Sequence, residues 1–135
     1  MTYPISEIDG LPAFAANKLK TAGIRTTEKL LEVAGDVKGR KKLSEATGIS
    51  QKQLLEWANI ADYMRIPGMG KAKAKLIRST GVKTVRELGF RNPERLAKAM
   101  RDFNDKQRLV RVMPSAPSVQ QLIERARKLP PKISY

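Results

Sequence analysis

Apolar residues recur three and four positions apart along the whole chain, the spacing of one face of a helix, and no stretch shows the two-residue alternation of a strand. Stop and start signals punctuate the pattern. Ser50 with Gln53 opens a helix that carries Leu54, Trp57, Ala58 and Ala61 on one face, and Thr84 with Glu87 and Ser118 with Gln121 form similar capping boxes. Asn92 before Pro93 reads as an N-cap followed by proline at the first helical position, and Gly48 terminates a basic helix over Lys38–Thr47. The segment Met113–Ser118 (MPSAPS) predicts a linker, followed by a last helix of about ten residues that Pro130 and Pro131 stop. The expectation is an all-α protein.

The pattern repeats at an offset of 58 residues. Ile8, Gly10, Leu11, Leu19, Gly23, Ile24, Thr26 and Leu30 pair in type with Ile66, Gly68, Met69, Ile77, Gly81, Val82, Thr84 and Leu88. Each copy is a hydrophobic residue and a glycine, a helix, a glycine terminator, a hydrophobic-x-Thr cap and a second helix. Such a unit does not bury its own faces, so flanking helices must complete each core. The expected division is 1–63 for the first unit, 64–112 for the second and 113–135 for a linker with a C-terminal helix packing back.

The second copy contains the most distinctive chemistry. In Ile66-Pro67-Gly68-Met69-Gly70-Lys71-Ala72-Lys73-Ala74 two glycines flank one residue directly before a helix, a geometry that turns the backbone tightly and aims N–H groups outward at the positive end of the helix. A phosphate fits such a turn, approaching the amides of Gly68, Met69 and Gly70. Lys71, Lys75 and Arg78 follow at i, i+4 and i+7 on one face, with Lys73 off that stripe but near the turn, while Ile66 and Ala74 are expected to anchor the hairpin by packing.

This segment resembles the helix-hairpin-helix motif of DNA-repair and recombination proteins, whose hairpin contacts phosphates without reading bases. From YPISEIDGLP through GRKKLSEATGIS and MRIPGMGKAKA to its tail, the chain resembles a bacterial family catalogued as domain of unknown function 4332. The first resemblance implies two tandem hairpin-containing units of short helices, SAM-domain-like bundles. It also implies a monovalent-cation site on turn carbonyls, here those of Ile66 and Gly68. The second implies no function.

Charge favours the second copy as the functional one. Lys and Arg number 27 against 13 Asp and Glu, a net charge of +14 that attracts polyanions. Residues 8–33 hold four basic and three acidic side chains; residues 66–91 hold seven and one. In the first copy Pro12 stands where the second glycine should be, removing an amide, and Ala13, Phe14, Ala15 and Ala16 replace the lysines. Further candidate phosphate contacts are Lys38, Arg40, Lys41 and Lys42, and then Lys98, Arg101, Lys106, Arg108 and Arg111, each set also readable as a solvated helix face.

The chain has no cysteine and no histidine, which excludes disulfides, the usual zinc sites and catalysis by imidazole or thiolate. Trp57 falls in a core register rather than a stacking one, and the pairs Asp102/Asp105 and Glu28/Glu32 read as solvation. Lys71 and Lys73 are the residues a Schiff-base lyase would use, and nothing else accompanies them. The expectation is therefore a non-enzymatic, sequence-nonspecific binder of nucleic acid, duplex DNA first, with no cofactor and no metal. A protein-interaction module and an RNA binder are the alternatives. MTYPISEID lacks a basic leader, and no run reaches the ~20 apolar residues of a membrane span, so a cytoplasmic, nucleoid-associated protein without membrane contact is expected.

Overall fold

A computed structural model describes residues 2–135. It is all-helical: a 3₁₀ turn at Ile5–Glu7 precedes α1 (Ala13–Thr21), α2 (Thr27–Ala34), α3 (Val37–Thr47), α4 (Gln51–Met64), α5 (Gly70–Ser79), α6 (Val85–Gly89), α7 (Pro93–Gln107) and α8 (Ala116–Lys128). No strand occurs among the described residues, only an isolated bridge between Pro4 and Thr26. Two compact units divide the chain, one running to Arg65 and including Pro131–Tyr135, the other Ile66–Pro130.

The helix ends follow the caps with one displacement. Ser50, Thr84 and Asn92 accept the N–H groups of Gln53, Glu87 and Arg95, and Gly48 closes α3 in the left-handed region at φ 75°. The last helix begins earlier than the sequence suggested. Ser115, not Ser118, caps it by accepting the Ser118 N–H. Pro117 lies in the first turn, where its missing N–H costs nothing, so the supposed linker shortens and the helix reaches 13 residues.

In the first unit α2 packs on α3 and α4 over a core that includes Ile5, Leu19, Ile24, Leu30, Leu54 and Trp57. Segment 131–135 belongs to this unit through main-chain and side-chain bonds: Ser134 N–H donates to the Gly35 carbonyl at 2.8 Å and Tyr135 OH to Asn59 Oδ1 at 3.1 Å. Gly35 has no side chain for a steric reason, since a Cβ there would run into the carbonyls of Lys132 and Leu31. Beneath the segment lies Arg40, 4% exposed, whose guanidinium donates to the carbonyls of Ala34, Gly35 and Ser134. Arg40 is thus removed from the candidate phosphate contacts, because its guanidinium is buried and turned to carbonyls inside the fold.

Burial also pushes the Asp62 carboxyl above its ordinary 3.8, a rise only partly offset by the Arg65 guanidinium bonded to it and by the charge of Lys132. A raised folded pKa means that the native state holds the proton more tightly than the unfolded one. That contribution to stability is complete below the ordinary carboxyl range and is lost as pH rises through the folded value. Asp62→Asn should flatten this part of the pH–stability profile, measured by urea unfolding across the acid range; an unchanged slope would remove Asp62 as its source.

In the second unit α8 packs on α6 and α7, and α5 on α7. Leu76, Ile77, Leu88, Met100, Val119 and Ile123 are buried in this unit. Positions 58 apart share backbone geometry across the two units: φ is 79° at Gly10 and 81° at Gly68, and −129° at Thr26 and −127° at Thr84. Hydrogen bonds correspond as well, Leu11 N–H to Ile8 O at 3.2 Å beside Met69 N–H to Ile66 O at 3.1 Å, and Gly23 to Lys20 beside Gly81 to Arg78.

Candidate nucleic-acid interface

The turn before α5 is built by burying its two ends. Ile66 and Ala74 are 0% and 2% exposed, holding the strand of backbone between them at the surface. Gly68 is exposed and Gly70 half-buried, at φ 81° and 69°. Both values lie where an L side chain is strained, so this path is open to glycine at low cost. The N–H groups of Gly68 and Gly70 make no hydrogen bond among the described residues. Met69 departs from expectation: its side chain is 1% exposed and its N–H is spent on the Ile66 carbonyl, because the turn closes on itself there. Two of the three expected amide donors remain.

The opposite side of the turn is occupied by cations. Lys73 Nζ donates to the Gly68 carbonyl at 3.0 Å, and Arg125 Nη1, from α8, to the Pro67 carbonyl at 2.8 Å. A monovalent cation at Ile66 and Gly68 would share both oxygens with these donors. The Ile66 carbonyl already accepts an N–H, and the ammonium on Gly68 O repels a second positive charge at the same oxygen. The arrangement has a further effect. The peptide unit whose carbonyl Arg125 holds is the one whose N–H belongs to Gly68, and a hydrogen bond at one end of a peptide polarises the donor at the other. Arg125 was invisible in the sequence as a site residue, since no local pattern says which carbonyl a surface arginine of a distant helix will meet.

Of the stripe on α5, Lys71 and Lys75 are exposed and Arg78 is half-buried, consistent with their i, i+4, i+7 spacing on one face. Lys98, Arg101, Lys106, Arg108 and Arg111 are exposed in the same unit, Arg108 as the left-handed C-cap of α7. Lys38, Lys41 and Lys42 are exposed on α3 in the first unit, around the buried Arg40. The Ile66–Pro130 unit holds sixteen basic and five acidic residues, so it contributes +11 of the total +14.

The corresponding turn of the first unit takes another path. Pro12 stands at φ −67°, ψ 153° as the N-cap of α1, with no N–H to offer, and Phe14 is 64% exposed on the helix that follows. Trp57 is 5% exposed and packs in the core, as its register predicted. No group of three or more His, Cys, Asp or Glu that would hold a metal occurs among the described residues, and no helix is long and apolar enough to cross a membrane.

Residues 9–129 match a family profile described as a domain of unknown function, DUF4332. No curated protein and no solved structure matches the chain.

Proposed function

Because the chain belongs to the DUF4332 family, whose name assigns no activity, we propose from the geometry of the turn that it binds double-stranded DNA without reading sequence and without chemistry. In this reading 66–88 is a helix-hairpin-helix and 8–30 its diverged, structural repeat. The observation that carries the reading is the two-sided turn at Gly68–Gly70. Its N–H groups at 68 and 70 are unspent, while its carbonyls at 67 and 68 are held by Arg125 and Lys73. The unspent N–H groups leave the positive ends of two peptide dipoles available to an anion, and the cations on the carbonyls offset the repulsion those oxygens would exert on a phosphate.

Such contacts leave a thermodynamic signature. If about five cations of the second unit meet phosphates, the logarithm of affinity falls with the logarithm of salt at a slope of ~−4.5, several-hundred-fold between 50 and 200 mM. Blunt duplexes of unrelated sequence should give the same slope and the same affinity in a fluorescence-anisotropy titration. A salt-independent affinity, or a strong preference for one sequence, would sink the proposal. Structured RNA as competitor separates duplex DNA from an A-form partner, whose grooves present a different phosphate spacing.

A further inference from the structure

Phe90 is 79% exposed, on a loop too well fixed for the exposure to result from fraying. Its N–H donates to the Glu87 carbonyl and that of Arg91 to the Leu88 carbonyl, both at 3.1 Å. Immediately before it, the Gly89 carbonyl is clamped by Arg127 through both Nε and Nη2, at 3.1 and 2.9 Å. An aromatic ring left in water forgoes the roughly 1.5–3 kcal/mol that burying it would return, and four hydrogen bonds fix the backbone that carries it. The ring borders a depression of about 460 Å³ with Val82, Leu96 and Ala99 as its apolar wall and Arg91 and Arg95 beside them. Both guanidinium groups are exposed. Arg91 faces Glu87 at 3.6 Å across a half-exposed pair, while the Arg95 side chain makes no hydrogen bond or ion pair among the described residues. Glu87, the acid at this edge, is itself engaged by Thr84 Oγ1 and the Lys83 N–H.

We infer that this depression binds an unpaired nucleotide, its base stacked on Phe90 and its flanking phosphates against Arg91 and Arg95. The size suits one base. A rigid ring flanked by planar cations is the chemistry that holds single strands without reading them, because every base has a π-face. The class of partner follows from the +11 of this unit, which disfavours a cationic or neutral occupant such as a peptide side chain. The inference rests on the nucleic-acid reading for that class, but uses a different surface and different residues from the glycine turn.

The test uses the full chain and two probes, an oligothymidylate of about twelve nucleotides and a blunt duplex, followed by anisotropy. Phe90→Ala should weaken the oligothymidylate about tenfold and leave the duplex unchanged. Phe90→Trp should retain single-strand binding and Phe90→Leu should lose it as the alanine variant does. Arg95→Gln should reduce the single-strand salt slope by about one. Because the ring is exposed, all four variants should melt as the parent does. Oligothymidylate binding that is untouched by Phe90→Ala overturns the inference, and so does full binding by Phe90→Leu, which would mark an apolar seat rather than a stacking one. The two readings fail separately: a chain that ignores duplex but loses oligothymidylate on Phe90→Ala refutes the turn and supports this site, and the reverse result does the opposite.

Discussion

Gly70→Pro should lower the affinity for duplex DNA by ten- to a hundredfold at every sequence tested, the size of one lost hydrogen bond to a charged group at about 1.5–3 kcal/mol. Two effects combine. Proline removes the N–H at position 70, and its ring fixes φ near −65°, far from the 69° that the turn requires. The first unit shows the alternative path, with Pro12 at φ −67° and ψ 153°. The variant is thus forced toward a turn already present in the same chain. Gly70→Ala separates conformation from donor. It keeps the N–H, and a Cβ there meets nothing within 4 Å, so it should cost about 1–2 kcal/mol of stability for the left-handed backbone and little affinity. Anisotropy and thermal melting on the two variants read both quantities. Equal affinity for Gly70→Pro and the parent would remove the amide from the interface, and a large loss in Gly70→Ala would assign the effect to turn geometry alone.

Arg40→Leu should destabilise the first unit by about 3 kcal/mol and leave DNA affinity unaltered in the folded fraction. Three carbonyls lose a charged donor, and each such bond is worth about 1.5–3 kcal/mol, offset in part because the buried charge no longer has to be desolvated. The neighbouring substitutions Lys41→Ala and Lys42→Ala, at exposed positions of the same helix, should instead leave stability within about 0.5 kcal/mol. Denaturant unfolding with affinity measured on the same preparations checks the pair. An Arg40→Leu protein as stable as the parent would mean that its three carbonyls find other donors.

Arg40 also shows helical periodicity competing with local composition. Arg40, Leu43 and Thr47 stand at i, i+3 and i+7, and all three are buried on one face of α3. The run GRKK reads as a basic surface because of its composition, yet its second member occupies a core position of the helix. The helices, their caps at Ser50, Thr84 and Asn92, and the buried anchors Ile66 and Ala74 were legible because each depends on residues within a few positions of one another. Ser115 and Ser118 offered two local caps, and only the chain's actual path into α8 chooses between them. Phe90 had a local signal: it follows Gly89, lies outside the Val85 and Leu88 stripe of α6, and sits just before a capped proline. The contact of Arg125 with Pro67 had none, as it spans 58 residues and depends on how α8 packs.

The bonds that seat residues 131–135 have a consequence for how the molecule is made. Arg40 precedes Ser134 by 94 residues, and the whole Ile66–Pro130 unit is synthesised between them. On the ribosome, the first unit therefore waits with a guanidinium short of one carbonyl until its last segment emerges, by which time the second unit has every residue it needs. The contacts that complete the first unit are among the longest-range in the chain and carry the largest closure entropy. The half of the protein translated first is on this account completed by residues that are made only after the other half.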